Sequence, residues 1–477
     1  MFGVRTKVIF EDRTEKAGAL RMRQNTFPEG FLWGVATSSQ QIEGGRHEGG
    51  RGESIWDRFA TVPGKIADGS NADVTCDHYH LWPNDIAIMK DLGLGAYRFS
   101  IAWPRIQPTG RGPANLAGLD FYDKLVDGLL AAGLEPYPTL YHWDLPQTLQ
   151  DTGGWAARDT AEAFAEYAAI VARRLGDRVR RWTTHNEPWC AATLGYEEGH
   201  HAPGHLSPAE GLAAAHHLML SHGWACEAVR REVPGAELGI VLIHSPAHPA
   251  TGSAGDIDAA RWFDGFFNRW YLDPIFRGAY PADAIADRTA NGQLDGGAMP
   301  FVRDGDLKAI STPLEFLGVN YYSRVVMRVG ANGKPEAVPP PKVPSLTDMG
   351  WEVYPAGLEE TLLRIHREYA PPAMYVTENG AAYDEPMDAR GLIHDQRRID
   401  YLRGHLASCA RAAAQGVPLK GYFQWSLLDN FEWGFGFTKK FGLYAVDPRD
   451  GRRIPKQSAA WYRDVVAANA VTDDQGA

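Results

Sequence analysis

Two glutamates stand where apolar runs end: Glu187 closes RWTTHNEP and Glu378 closes AMYVTENG. Each run reads as a buried strand, and Asn379-Gly380 reads as the point where the chain must turn. A charged carboxylate is costly to bury, so a glutamate in that position needs a reason. One reason is a salt-bridged acid at a loop edge; the other is an acid used in chemistry. Comparable strand ends and the loops after them carry Gln40, Arg98, His142, Asn186, Asn320, Tyr322, Trp425 and Glu432. Polar groups seldom collect in one place merely to stabilise a fold. Two facing carboxylates have a specific use: one stays ionised and attacks, while the other is kept protonated by its neighbour's charge and donates to a leaving group. Cleaving a glycosidic bond needs such a pair, with retention at a carboxyl separation of about 5–5.5 Å and inversion at roughly 6.5–9.5 Å. The residues alone carry no distance, so both outcomes stand open.

The elements that would position these groups recur along the chain. Eight short aromatic or β-branched runs read as strands: FLWGVAT, AYRFSIAW, EPYPTLYHWD, RWTTHNEP, ELGIVLIH, EFLGVNYY, AMYVTENG and GYFQWSLLD. Their apolar parts are too continuous for one wet face, which is the mark of parallel strands covered on both sides. Helical patterns separate several of them. NDIAIMKDLGL places Ile86, Met89 and Leu92 on one side and stops at Gly93; LDFYDKLVDGLLAAGLE turns Leu125, Leu129 and Leu130 inward and stops at Gly133; a third helix starts at an Asp159 cap and ends at Gly176. Strand then helix, eight times, is the plan of a single α/β (β/α)8 TIM barrel with its site at the C-terminal ends of the strands. An open doubly wound sheet is the alternative, but a continuous array of eight strands favours closure. No Pro/Ser-rich linker divides the chain, so residues 26–467 are expected to form one domain. Residues 1–25 are expected to be a disordered extension, with Met22 as a candidate start, and 468–477 a flexible tail. The stretch VGANGKPEAVPPPKVPSLTDMGW is the largest irregular insertion and is expected on the active-site face.

Bulk composition narrows the partners. A formal net charge of -11 argues against nucleic acid, and no apolar run reaches the ~20 residues of a membrane span. The N-terminal residues carry acids and no apolar run before a cleavage site, so no secretory signal is expected. Cys76, Cys190, Cys226 and Cys409 are scattered without close pairs, which suits reduced thiols in the cytoplasm. The histidine-rich stretch GHHAPGHLSPAEGLAAAHHLMLSHGW lacks a HExxH-type spacing, so it reads as a capped helix with partly buried histidines, and no metal is expected. EGGRHEGGRGES lacks the GK[ST] of a phosphate loop and reads as a flexible loop. Oligomeric state is open, a homo-oligomer included.

Six motifs in register, FLWGVATSSQQIEG, YHWDLP, HNEPW, NYY, YVTENG and WSLLDNFEW, resemble family 1 glycoside hydrolases, the family of β-glucosidases and β-galactosidases, from about Phe27 to Val466. The resemblance implies that Glu187 is the general acid/base and Glu378 the nucleophile of a retaining reaction through a covalent glycosyl intermediate. It further implies that Arg98 keeps Glu378 ionised, that Tyr322 donates a hydrogen bond to it, and that Asn186 binds the sugar 2-hydroxyl. Gln40, His142, Trp425, Glu432 and Trp433 resemble the glycone pocket. Asn320 would support the acid/base. Trp351 would line the mouth on the leaving-group side, with Trp189 and Leu194 narrowing it. No cofactor is implied, and the partners implied are small β-glycosides and cello-oligosaccharides. The thioglucoside-cleaving branch has Gln in place of the acid, whereas Glu187 is intact. The 6-phospho-sugar branch has a lysine for phosphate, whereas Glu432 would repel a dianion. His185 and Gln424 depart from the residues usual there, and alternation aims His185 away from the mouth. A barrel that binds carbohydrate without catalysis, and a variant that transfers the glycosyl group to a sugar hydroxyl, are the functional alternatives. An intact acid pair beside an arginine argues against the first.

Overall fold

The computed structural model describes residues 23–340 and 346–473. Eight parallel strands close into a barrel: β1 (Leu32–Ala36), β2 (Ala96–Ser100), β3 (Glu135–Tyr141), β4 (Arg181–Asn186), β5 (Glu237–His244), β6 (Phe316–Tyr321), β7 (Met374–Asn379) and β8 (Leu419–Trp425). β8 pairs with β1 and β6 with β7, so no edge is left in this sheet. The expected eight strands are the observed ones. Helices follow them on the outside, α1 (His78–Asp91), α2 (Leu116–Ala131), α3 (Asp159–Leu175), α4 (Pro208–Glu232), α5 (Trp270–Arg277), α6 (Pro355–Tyr369), α7 (Gln396–Ala414) and α8 (Gln457–Ala468). The barrel floor is filled by aromatics from facing strands. Tyr137 lies 5.4 Å from Phe316, 5.5 Å from Tyr375 and 5.1 Å from Phe423, ring centre to ring centre. Each such buried ring stabilises the fold by about 1.5–3 kcal/mol, and together they leave only the upper end free for polar groups.

The helix limits follow local chemistry. Gly93 and Gly133 end α1 and α2 with positive φ of 70° and 79°, which a side chain would disfavour. Leu125 and Leu129 face inward as expected, but Leu130 is 41% exposed, because α2 packs on one face and Leu130 falls beyond it. Asp159 is the first helical residue of α3 rather than its cap, a place where its charge still favours the helix dipole.

Two boundaries differ from expectation. Arg23–Thr26 forms an antiparallel pair with Ala470–Asp473, so the folded body begins within the expected extension and runs into the expected tail. Residues 1–22, and with them Met22 as a start, lie outside the described residues. The glycine-rich segment expected to be flexible is pinned instead: Arg51 Nη1 donates to Asp57 at 2.6 Å, Arg105 Nε to Glu43 at 3.0 Å, and Asn115 Nδ2 to the Gly49 carbonyl at 2.6 Å. α4 is capped by Ser207, and His216, His217 and His222 on it are buried. Among the described residues no group of three His, Cys, Asp or Glu could hold a metal ion, and no helix is long and apolar enough to cross a membrane.

Candidate active site

Both strands that carry the two glutamates lose their pairing register just before them. The β4 ladder with β5 shifts between Thr183 and Asn186, and the β7 ladders shift after Val376. Such irregularities re-aim side chains that strict alternation would send elsewhere. In β4, Thr184 and His185 both turn outward, where Thr184 Oγ1 meets His222 Nδ1 at 2.7 Å and His185 Nε2 meets Ser221 Oγ at 2.8 Å. The chain then swings into the left-handed region at Glu187, φ 46°, a conformation that costs a non-glycine residue about 1–2 kcal/mol. The result is that Asn186 and Glu187 both serve the barrel mouth. His185, stacked 4.4 Å from Phe164, belongs to the helical layer.

Glu378 and Glu187 border one cavity of about 760 Å³ at the C-terminal end of the barrel, and they have opposite partners. Glu378 is held by a cation and a hydroxyl: Arg98 Nη1 donates to Oε1 at 2.7 Å and Tyr322 to Oε2 at 2.7 Å. Glu187 is held by neutral donors, Asn320 Nδ2 on Oε1 at 2.6 Å and Cys190 Sγ on Oε2 at 3.1 Å. Burial first, and the charge of Glu378 second, push the Glu187 carboxyl well above the usual carboxylate range. Asn320 can only donate through its amide nitrogen, and its own oxygen already accepts from Thr377 at 2.7 Å. The Cys190 thiol, unlike the Asn320 amide nitrogen, can accept as well as donate, so Oε2 is the oxygen that can carry the Glu187 proton.

A second chain of hydrogen bonds ties the two acids together. Asn186 Oδ1 accepts from Arg98 Nη2 at 2.7 Å and from Asn320 Nδ2 at 3.1 Å, which fixes its amide orientation. Its Nδ2 then donates to His142 Nε2 at 3.0 Å. Burial and the nearby Arg98 charge push His142 well below its ordinary value, so the ring is neutral with its hydrogen on Nδ1. That donor has no protein partner. Glu432, Trp425 and Trp433 border the same end of the cavity. Burial and the two other carboxylates raise Glu432 to about 8. Trp425 and Trp433 lie nearly parallel to the His142 ring at 5.8 and 5.9 Å.

Gln40 is not among them. Its amide donates to Asp57 at 2.9 Å and accepts from Arg51 and Ser54 at 2.9 and 3.0 Å, and it borders a small cavity with Glu43 and Arg46 behind the mouth. The neighbouring Gln41 takes that place, with Nε2 3.4 Å from Glu432 Oε2 and 3.1 Å from Asn430 Oδ1. A short helix, Ser39–Ile42, follows β1, so adjacent glutamines point about 100° apart and a one-residue slip exchanges their surroundings. Cys190 was also absent from the expected set. Its position three residues after Glu187 in a helical turn is the signal that could have found it.

Trp189, Leu194 and Trp351 also line the cavity, together with Phe267, Val325, Val326 and Val338. Trp351 packs 5.3 Å from Tyr322. Val325–Val329, Pro335–Ala337 and Ala247–Pro249 form a small three-stranded sheet beside the mouth, so the described part of the irregular insertion builds this face. Gln424 is turned into the backbone, donating to the Trp425 carbonyl at 2.8 Å.

The model of glycosyl hydrolase family 1 matches residues 23–471. The chain belongs to that family. It is 45% identical to a β-glucosidase A of Acetivibrio thermocellus, covering 94% of this chain and 100% of that one. It is 44% identical to a bifunctional β-D-glucosidase/β-D-fucosidase of Bifidobacterium breve, covering 92% and 98%. A family 1 β-glucosidase from Thermotoga maritima superposes with a TM-score of 0.90 at 44% identity, covering 94% and 100%. The solved structure shares the eight-stranded parallel barrel.

Proposed function

We propose that the protein is a retaining β-glucosidase, removing terminal non-reducing β-D-glucosyl residues from glycosides and cello-oligosaccharides, with β-D-fucosides and β-D-galactosides as further substrates. The observation that carries this reading is the contrast between the two acids: Glu378 between a guanidinium and a phenol, Glu187 between an amide and a thiol with its carboxyl shifted upward. Glu378 attacks the anomeric carbon as the Glu187 proton passes from Oε2 to the glycosidic oxygen, and the alcohol leaves. Glu187, now a carboxylate, takes a proton from water as the water oxygen bonds to the anomeric carbon and the Glu378 carboxylate leaves it, releasing the sugar with its β configuration retained. Arg98 and Tyr322 hold the nucleophile in line. Asn186 meets the 2-hydroxyl with its remaining amide hydrogen, a contact that strengthens as the oxocarbenium develops. The glycone rests against Trp425, with His142, Glu432 and Trp433 on its hydroxyls and Gln41 in the place first given to Gln40. Asn320 orients both Asn186 and Glu187.

The relatives' names support the glucoside preference, and the bifunctional relative supports tolerance at the sugar's 4- and 6-positions. The buried free thiols of Cys76, Cys190, Cys226 and Cys409 suit a reducing cytoplasm. The test is a panel of p-nitrophenyl β-glycosides, a 6-phosphoglucoside included, with the first-formed anomer followed by NMR. Glucoside turnover with β-glucose appearing first is expected; α-glucose appearing first contradicts the reading, as does preference for the 6-phosphate.

A further inference from the structure

A groove of about 450 Å³ lies between loops that follow β1, β3 and β4, and it shares no lining residue with the catalytic cavity. On one side stands the short helix Gln147–Gln150, whose two glutamines border the groove and are each only 8% exposed. Their neighbours fix how both amides are turned. Gln147 Nε2 donates to Asp151 Oδ1 at 2.9 Å, and a carboxylate only accepts, so Gln147 Oε1 is the free atom. Gln150 Oε1 accepts from the Tyr196 hydroxyl, which itself accepts from the Trp155 backbone N–H at 2.9 Å, so Gln150 Nε2 is the free donor. Neither free atom has a hydrogen-bond partner among the described residues. The charged groups at the groove are engaged instead: Arg58 donates to Glu53 at 3.0 and 2.6 Å, and His205 meets Glu210 at 2.6 Å. Ile55, Phe59 and Pro203 supply an apolar wall.

We propose that this groove is a second carbohydrate site, taking a neutral monosaccharide, glucose included, by two adjacent hydroxyls. Gln150 Nε2 donates to one hydroxyl oxygen and Gln147 Oε1 accepts from the next, while the C–H face of the sugar lies on the apolar wall. Asp151 and Glu210 on the lining repel an anion. The short helix Ile55–Phe59 presents that wall on one side and serves the catalytic cavity on the other. Trp56 lies 4.6 Å from Trp433, ring centre to ring centre, and Asp57 accepts from Gln40 at 2.9 Å. A sugar seated on Ile55 and Phe59 therefore braces the helix against which Trp433 packs. The choice of glucose rests on the β-glucosidase reading, since that reaction releases it.

In the test, glucose is titrated onto the full-length enzyme and its binding read by saturation-transfer NMR, after a 2-deoxy-2-fluoroglucosyl group has filled the catalytic cavity. The wild type is compared with a Gln147→Leu/Gln150→Leu variant and with Ala157→Trp, which fills the groove and leaves both glutamines in place. Without added glucose, both variants are expected to turn over p-nitrophenyl β-D-glucoside as the wild type does, which also reports that they fold. Both are expected to bind glucose at least about tenfold more weakly. Glucose held at the barrel mouth is common to all three proteins and leaves the comparison unmoved. A double variant that fails to fold leaves Ala157→Trp to decide. Absence of saturable binding in the wild type overturns the site, as does equal binding by the wild type and either folded variant. An enzyme that takes up no fluoroglucosyl group and cleaves no glucoside contradicts the β-glucosidase reading instead; it is titrated as it stands, and the same comparison judges the groove.

Discussion

Neutral donors on both oxygens of Glu187 give this carboxyl its working range. The thiol of Cys190 favours the carboxylate, opposing burial and the charge of Glu378, which favour the acid. Cys190→Ala removes a donor to the ionised form, so the alkaline limb of kcat/KM should move to higher pH. A pH–rate profile checks this, and a limb that stays in place contradicts a role for the thiol. Glu187→Gln keeps the hydrogen bond from Asn320 but has no proton to give. In kcat/KM, which reports formation of the intermediate, alkyl glucosides should lose about 10²–10⁴-fold and 2,4-dinitrophenyl glucoside far less. Equal losses would move the acid role to another group. Glu187 and Glu378 were legible in the sequence because each ends a strand in a barrel pattern. Gln41 was not, since two adjacent glutamines in one turn look alike until the direction of the turn is known. Cys190 was hidden because a lone cysteine near a barrel most often only fills space.

At the scale of elements, the eight strands were readable from their continuous apolar runs, and α1 and α2 from their periodicity and terminal glycines. The register shifts in β4 and β7 were not, because a bulge leaves no change in composition; their sign is only that Thr184 and His185 both face the helices. The strand pair joining the two ends of the described chain was equally hidden, as four polar residues show no alternation to read. Asn469 links that pair to the barrel: it accepts from Trp33 Nε1 at 3.0 Å, donates to the Phe27 carbonyl at 3.0 Å, and holds φ at 47°. Asn469→Ala removes these bonds and places alanine in a left-handed conformation, which should destabilise the fold by about 1–3 kcal/mol. Thermal unfolding should show a Tm lower by about 1–4 °C, with kcat at moderate temperature unchanged because Asn469 lies far from the mouth. An unaltered Tm would mean the clasp contributes nothing.

The whole molecule buries many titratable groups, and their signs set its pH response. His142, His185, His201, His216, His217, His222, His244 and His405 are all pushed below the ordinary histidine value, chiefly by burial. Unfolded chain binds more protons at these sites as pH falls below about 6.5, so their contribution is full above that pH and lost beneath it. Asp144, Glu187 and Glu432 act oppositely, since burial raises them, to about 7 and about 8 for Asp144 and Glu432. Their contribution is full below the ordinary carboxylate value and declines as pH rises toward 8. Burial raises Glu198 as well, and eight histidines outnumber these four acids, so Tm should drop between pH 6.5 and 4.5; a flat or rising Tm across that range contradicts the balance. The same burial that makes the molecule acid-sensitive gives Glu187 its proton at neutral pH, and the barrel is what brings Glu187 and Glu378 to one cavity from distant parts of the chain. Glu378 as the covalent nucleophile is the claim on which the mechanism turns. Incubation with 2,4-dinitrophenyl 2-deoxy-2-fluoro-β-D-glucoside, followed by peptide mass mapping, tests it most directly: one fluoroglucosyl group on the peptide containing Glu378 is the expected result, and labelling at Glu187 or Glu432 would contradict the assignment.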